Sequence, residues 1–472
     1  MEEGFTKNGT MMINQDKNYY LRSNSLLTLP IYITKIILIV LFSIVCFSIF
    51  ENSNNPLYSF LGSSTSFFLI TVFAVIIFLK EIKWVVFYSI AFLIKLLIGL
   101  THYLYFIEPN YFKTGAYPAL TTEYESVFNE ILNHAIDKSY HGIFYFQFHF
   151  SRVAHQEILN LISVPFTFFG NYVMTIAPLN TFFSLLMSIN LILLSKFKFK
   201  YNATIIKSIA IATAYFPLTL ITSLLYRDIV GLSLMSIGVT MIILPKNNFS
   251  KILMLIVAGF LFYMQRTVYP IILVLAYILN VTFSPTIRNM KLNLLIRVIT
   301  VIVGIAIFPY IVNISNTESN ITMANSAMDI SILSLPIKFI VGLIGPFPWI
   351  NFLLYKTIPA NAYQLQDYLQ GAFNISVILT LVLHWKNFKG KNIINLLNIL
   401  GFMLIATGLF TPQMHTTYVA IGFVFLIPYF FNQIRPKLFL KYYLYSVLFM
   451  LILNLFVIAF LGNMGISELW RN

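Results

Sequence analysis

The sequence holds a single cysteine, Cys46, which falls inside an apolar run; an intrachain disulfide is excluded, and no Cys spacing of the metal-binding kind exists. Charge is scarce as well: 10% of the 472 residues are Asp, Glu, Lys or Arg, against about 25% in an ordinary soluble domain. With 58% of the chain apolar or aromatic, a water-soluble fold could not cover its own apolar surface. No low-complexity tract and no repeat at a solenoid period occurs. Acidic residues are few, 16 against 30 Lys and Arg, giving a formal charge of +14. That balance does not point to nucleic acid, because the cations lie in short clusters between apolar runs.

What is present in quantity is runs long enough to cross about 30 Å of hydrocarbon as helices. They cover roughly 28 to 50, 59 to 79, 84 to 106, 174 to 195, 204 to 225, 229 to 245, 252 to 265, 268 to 284, 293 to 314, 371 to 385, 392 to 411, 417 to 432 and 442 to 461, about thirteen spans. The expected fold class is an all-α, polytopic transmembrane helix bundle. Clusters at Lys80/Lys83, Lys196/Lys198/Lys200, Lys246/Lys251, Arg288/Lys291, Lys386/Lys389/Lys391 and Arg435/Lys437/Lys441 alternate with junctions nearly free of Lys and Arg. Under the positive-inside rule this puts the N-terminus in the cytoplasm and the C-terminus outside. The first run ends in Phe50-Glu51-Asn52-Ser53-Asn54 without a small-x-small cleavage site, so it reads as a retained span.

The resulting organisation is a cytoplasmic tail (1–27), three spans (28–106), an external loop with an interfacial helix at Gln156 to Gly170 (107–173), six spans (174–314), a second external loop (315–370), and four spans with a short external tail (371–472). Within the second loop, residues 337–354 carry Gly345-Pro346-Phe347-Pro348 at their middle, which breaks a helix. They are expected to form a re-entrant hairpin from the outer face, lining a cavity.

The first external loop concentrates proton-transfer groups. It holds six of the 16 acids (Glu108, Glu123, Glu125, Glu130, Asp137, Glu157) and four of the seven histidines (His134, His141, His149, His155). Its aromatics, among them Tyr111, Tyr117, Tyr124 and Tyr140, could stack on sugar rings. His134 and His141 would share a helix face, yet without an H-E-x-x-H nothing imposes metal geometry, and no metal is expected. Tyr226-Arg227-Asp228 marks the outer turn between the fifth and sixth spans. Asp228 reads either as the N-cap of the next helix, with Arg227 snorkelling to headgroups, or as half of a ligand site. Arg266 occupies the next outer turn, so two guanidiniums at one level could bind a pyrophosphate; His415, in a third outer turn, is a further member. Lys95 lies near mid-membrane, where a lone charge costs on the order of 2.5–3.5 kcal/mol. It requires a partner that the sequence does not name, and structural and transport roles are both open.

Many spans, two long external loops, the Tyr226-Arg227-Asp228 turn after Phe216-Pro217, the outer Arg266 and Gly345-Pro346-Phe347-Pro348-Trp349 together resemble the Wzy-type polymerases of O-antigen and capsular polysaccharide. More loosely, the chain resembles the GT-C class of membrane glycosyltransferases. The resemblance implies an undecaprenyl-pyrophosphate-linked glycan as donor, a second as acceptor, and location in the bacterial inner membrane with chemistry at the periplasmic face. It also implies a chain-length regulator as partner, membrane lipids as surroundings, and no cofactor. On it, Arg227, Arg266 and His415 would hold the pyrophosphate, and Asp228, Glu123, Glu125 or His134 would act as base. The first large external loop follows the third span rather than the first, so the catalytic carboxylates of the GT-C class do not transfer directly. A lipid-linked oligosaccharide flippase or other transporter, and an O-antigen ligase, are the alternatives.

Overall fold

The computed structural model describes residues 28–52, 55–107, 121–146, 155–170, 172–223, 227–283, 294–295, 298–299, 302, 362–388, 395–409 and 416–462. Among them there is no strand; the architecture is all-α. In chain order the helices are α1 (Leu29–Ile49), α2 (Pro56–Leu79), α3 (Ile82–His102), α4 (Thr121–His141), α5 (His155–Ile162), α6 (Phe166–Phe169), α7 (Ile176–Leu193) and α8 (Ala203–Ala214). There follow α9 (Arg227–Ile243), α10 (Asn248–Gln265), α11 (Tyr269–Phe283), α12 (Ala362–Leu383), α13 (Leu396–Leu409), α14 (Thr416–Gln433) and α15 (Pro436–Gly462).

The starts have identifiable causes. Pro30 and Pro56 stand in the first turns of α1 and α2, where a missing N–H costs nothing. Asn55, Asn202 and Asn247 cap α2, α8 and α10 by accepting from the N–H of Leu57 (2.9 Å), Ile205 (2.9 Å) and Phe249 (3.1 Å). The turn from α2 to α3 passes through Lys80 in the left-handed region, φ 62°.

Among the described residues six helical segments are long and apolar enough to cross a membrane: Leu29–Ile49, Pro56–Leu79, Ile82–Tyr105, Val173–Lys198, Asn248–Gln265 and Pro436–Leu453. By helix length and composition this is a multi-pass membrane protein. The lipid-facing side can be read on α1, where Ile37, Leu41, Val45 and Ile49 form an exposed row at four-residue spacing while Ile39 and Cys46 are buried. An apolar row of that length suits hydrocarbon and not water.

The centre of the bundle is α7. Of the most apolar window of its span 94% is buried, against 17% for α1 and for α15, and α2, α3, α8 and α9 all pack on it. Polar side chains make these contacts specific. Ser188 Oγ lies 2.8 Å from the Tyr88 hydroxyl and 2.6 Å from Thr213 Oγ1, and Asn190 Oδ1 accepts from the Tyr32 hydroxyl at 2.6 Å. Such bonds between membrane helices are worth about 0.6–2 kcal/mol each. In the C-terminal part α13 and α14 touch backbone to backbone: a Cβ on Gly401 would fall 2.9 Å from the Gly422 carbonyl oxygen. Only a residue without a side chain permits that approach.

Cations gather at one end of the bundle. Glu81 pairs with Lys83 on its own helix turn and with Lys196 beyond α7, and Lys198 lies within electrostatic range of Lys246 and Lys251. Burial works to raise the Glu81 carboxyl, but the bonds and charges of Lys196 and Lys83 outweigh it and hold it below the usual range. At the opposite end Ser59 Oγ, in the first turn of α2, donates to the Phe169 carbonyl, and α6 packs on α1 and α2.

Three expectations meet a different arrangement. The run 204–225 is not one helix: α8 stops at Ala214, a short 3-10 turn covers Pro217–Thr219, and the described residues from there to Ser223 are not helical. Pro217 is the cause, since it has no N–H for the helix ladder and its ring excludes continuation. The helix expected from 371 begins instead at Ala362. Gln156 to Gly170 turns its apolar groups inward, with Ile158, Leu159, Ile162, Phe166 and Phe169 in the main core. The span 293–314, the segment 315–361 and the hairpin 337–354 lie outside the continuously described residues.

Replacing Gly422 by Leu is expected to destabilise the detergent-solubilised protein by about 1–3 kcal/mol through overpacking against α13. A fall in the thermal midpoint followed by Trp fluorescence checks it, and an unchanged midpoint would mean that the two backbones are not in contact.

Candidate functional site

The end of the bundle away from the lysine-rich rim holds most of the unusual polar chemistry. It begins at the break after α8. Lys95 on α3 is fully buried, and its ammonium donates to the Ala214 carbonyl at 2.7 Å and to Thr219 Oγ1 at 3.2 Å. The carbonyls at a helix C-terminus carry partial negative charge, so the cation caps the end that Pro217 creates. From the other side α12 supplies two amides. Gln370 Oε1 accepts from the Leu218 N–H at 3.1 Å, and Gln366 Nε2 donates to the Leu218 carbonyl at 3.0 Å. Irregular backbone at membrane depth persists where protein groups satisfy it in this way.

Beyond the break, the segment 221–223 runs along α3. A Cβ on Gly99 would meet Thr222 Oγ1 at 2.6 Å, so the absence of a side chain there lets the two chains close. Asn180 Nδ2 of α7 donates to the Thr222 carbonyl at 3.0 Å, and Ser223 Oγ lies 2.6 Å from His102 Nδ1.

The next turn carries the residues that the sequence singled out. Because α9 starts at Arg227, Asp228 stands inside its first turn rather than at the N-cap, still where a carboxylate is favoured by the helix dipole. Asp228 is buried, and its Oδ1 accepts from Gln265 Nε2 at the end of α10. A Cβ on Gly231 would collide with the Gln265 amide; the bare backbone there is the slot through which Gln265 reaches across α9. Arg266 is the C-cap of α10, in extended conformation with its N–H on the Phe262 carbonyl at 3.1 Å. It is 9% exposed, so its guanidinium stem is packed in protein instead of reaching outward. Arg227, half-buried, precedes Asp228, and Arg266 follows Gln265; the two arginines flank one hydrogen-bonded pair.

Helices of the 107–173 segment cover this region. α5 packs on α9 and α10, and α4 packs in turn on α5 and α6. Glu157, in the first turn of α5, is buried. Lys138 on α4 is also buried; it donates to Asn160 Oδ1 of α5 at 3.2 Å and sits 4.8 Å above the Phe146 ring. Burial pushes its ammonium down to about 8, against the opposing pull of Asp137.

The Asp228–Gln265 bond therefore joins the start of α9 to the end of α10, with Arg227 and Arg266 as the sequence neighbours of the pair, and His134, half-buried, lies on α4, which packs on α5. Glu123 and Glu125 belong to the first turns of α4, and their side chains lie outside the described residues, as do Tyr226, His149, His415 and Gly345 to Trp349. His141 is exposed with its ring 4.6 Å from Tyr145, and no group of His, Cys, Asp and Glu fit to hold a metal occurs among the described residues. Residues not anticipated are Gln265, His102, Ser223, Gln366 and Gln370. A signal for the last two was available: Gln366, Gln370 and Asn374 recur every fourth residue, the mark of a polar stripe on one helix face.

No family model, no curated protein and no solved structure matches the chain. The class defined by the fold is thus an all-α, multi-pass membrane protein with a buried Asp–Gln pair between two arginines at one end.

The Lys138 contact has a pH consequence. Burial makes its ammonium lose a proton at about 8 in the docked state instead of the ordinary 10.5, so undocked α4 binds more protons between about 8 and 10.5. Docking is weakest below about 8 and strengthens as pH rises toward 10.5. Limited proteolysis between α4 and α5 is expected to slow over that window, relative to a reference cleavage elsewhere, and Lys138→Met should abolish the trend. A trend that persists in Lys138→Met would assign it to another group.

Proposed function

We propose that the protein is a membrane glycosyltransferase that polymerises undecaprenyl-pyrophosphate-linked oligosaccharide repeat units, building O-antigen or capsular polysaccharide at the periplasmic face of the bacterial inner membrane. The observation that carries this reading is the buried Asp228–Gln265 bond between Arg227 and Arg266, at the end opposite the lysine-rich rim and beneath α4–α6.

A lipid pyrophosphate leaving group develops negative charge as its bond to the sugar breaks. Guanidiniums fixed beforehand stabilise that charge more than mobile ones, and Arg266 is held by burial at the end of α10. Asp228, with one oxygen on Gln265, would orient the arginines or the acceptor; Glu123, Glu125 and His134 on the covering helix are the other groups available to the acceptor hydroxyl. In this reading the lysine-rich end faces the cytoplasm, as the positive-inside rule requires, about thirteen spans cross the bilayer, and a chain-length regulator docks on the external face.

A second reading, transport or flipping of the lipid-linked glycan, is favoured by one observation: α8 is interrupted at membrane depth, and Lys95 caps the break. Discontinuous helices that enclose a polar centre are typical of transporters. An O-antigen ligase would share donor and leaving group with the polymerase and differ in acceptor.

Deleting the gene and separating surface lipid-linked glycans by size tests the choice. A polymerase leaves lipid cores carrying one repeat unit, whereas a flippase or ligase leaves cores carrying none; unchanged chain lengths would exclude the polymerase reading. Complementation with Arg227→Ala and Arg266→Ala, each at wild-type membrane level, is expected to lower polymer about 100-fold or more for Arg266. Full polymer from both variants would remove the pyrophosphate role from the pair.

A further inference from the structure

Between Asp367 and Glu468 the sequence has no acidic residue, yet Lys386, Lys389, Lys391, Arg435, Lys437 and Lys441 all fall there. The lysines around α3 and α7 share the carboxylate of Glu81; this group has no such neighbour in the chain. Among the described residues, Lys386, Arg435, Lys437 and Lys441 are exposed, and none of them pairs with a carboxylate.

The fold brings these four to one place. α12 and α15 pack on each other, and the end of α12 meets the start of α15 where His384 Nε2 lies 3.0 Å from the Tyr442 hydroxyl. Lys386 follows His384 in the 3-10 turn Trp385–Phe388, and Lys441 directly precedes Tyr442. A third helix holds that turn: the Tyr429 hydroxyl of α14 donates to the Phe388 carbonyl at 3.2 Å. The Phe430 ring stands 5.7 Å from Phe388 and 5.2 Å from Phe439 of α15, so the two starts are locked through one aromatic cluster. Arg435 makes the turn from α14 to α15, its carbonyl accepting from the Leu438 N–H at 2.9 Å, and the Lys441 ammonium lies 5.5 Å over the Tyr445 ring. Four cations thus surround a point where three helices meet on fixed backbone. The point belongs to the lysine-rich end, because Tyr429 is within electrostatic range of Tyr201, the residue after Lys200.

The surface next to the cations is apolar. Leu379, Val382 and Leu383 are exposed on the last turns of α12, and Leu440, Leu444 and Leu448 form an exposed row at four-residue spacing on α15. Cations alone would suit any anion. Cations at the end of two apolar helix faces suit an anion that carries acyl chains, and basic sites between membrane helices bind acidic lipid headgroups.

We propose that the junction of α12, α14 and α15 is a binding site for an anionic glycerophospholipid. Its phosphate lies among Lys386, Arg435, Lys437 and Lys441, and its acyl chains run along the exposed faces of α12 and α15. The inference does not rest on the polymerase reading, since it concerns the end of the bundle opposite Arg266. It does bear on the fold. Four unneutralised cations repel one another, and a bound phosphate offsets that repulsion while joining α15 to α12, the helix whose Gln366 and Gln370 hold the break after α8.

The test titrates the purified full chain, in a neutral detergent, with phosphatidylglycerol and separately with phosphatidylcholine of the same acyl chains, and reads bound lipid by native mass spectrometry. Phosphatidylglycerol is expected to bind at about tenfold lower concentration or less, and to raise the thermal midpoint where phosphatidylcholine does not. The double variant Arg435→Gln, Lys441→Gln should weaken phosphatidylglycerol binding roughly 25-fold, about fivefold for each cation removed, and leave phosphatidylcholine unchanged. Lys83→Gln, at the Glu81 cluster, should keep wild-type binding. Equal binding of the two lipids, or an equal loss in Lys83→Gln, would overturn the proposal. Should the double variant fail to fold, the wild type still decides: phosphatidylglycerol with a photoactivatable diazirine on its acyl chain is expected to label residues 379–383 and 440–452, and labelling confined to other helices would overturn the site. Displacement of the lipid by inorganic phosphate at matched concentration would assign the cluster to a soluble anion and overturn it equally.

Discussion

A helix interrupted inside a bundle leaves carbonyls and N–H groups with no water to bind, and the break at Pro217 imposes that demand on the whole molecule. Its satisfaction draws on elements far apart in the chain: Lys95 from α3 for the Ala214 carbonyl, Gln366 and Gln370 from α12 for Leu218, and Asn180 from α7 for Thr222. Each unpaired group would cost several kcal/mol in hydrocarbon. The polar groups of α3, α7 and α12 thus converge because α8 stops, and the bundle is pinned around that point. The same break lets residues 221–223 run irregularly along α3, with the Thr222 carbonyl held by Asn180 and Ser223 against His102.

The two ends of the bundle differ in chemical kind. Lysines paired through Glu81 collect at one; a buried carboxylate, a histidine–serine contact and a cover of three helices collect at the other, where α9 begins with Arg227 and α10 ends at Arg266. The lid is bound through a buried lysine, Lys138, whose ammonium is held well below its ordinary range. An asymmetric molecule of this sort has a direction, and the proposed chemistry assigns one: glycan handled at the arginine end, under the lid, with the lysine end anchoring orientation.

Apolar runs were a good guide to helices wherever the helix faces lipid on one side. α1 and α2 follow their runs to within a few residues, because prolines in their first turns, the Asn55 cap and the Lys80 turn fall where hydropathy also ends. The buried α7 follows its run as closely, and the guide failed at three particular places. Pro217 sits in an unbroken apolar run, and averaged hydropathy does not feel a missing N–H; α12 begins early because its glutamines face inward, which averaging counts as polar loop. Gln156 to Gly170 shows the amphipathic pattern of an interfacial helix, yet that pattern fits a protein surface equally well. For the site, Arg227, Asp228 and Arg266 were legible as charges at span ends. Their linkage through Gln265 was not, because it depends on Gly231 leaving space one turn away. The partner of Lys95 was hidden for a simpler reason: it is a backbone carbonyl, and no residue type announces it.

The central claim is that the arginine end binds a lipid pyrophosphate. Native mass spectrometry of the full chain in nanodiscs, titrated with undecaprenyl pyrophosphate and, separately, with undecaprenol, measures it directly. The account predicts a bound pyrophosphate species at lipid levels where undecaprenol gives none, with occupancy falling about tenfold or more in Arg266→Ala and unchanged in Lys196→Ala at the opposite end. Equal occupancy by the two lipids, or a loss in Lys196→Ala and not in Arg266→Ala, would contradict it.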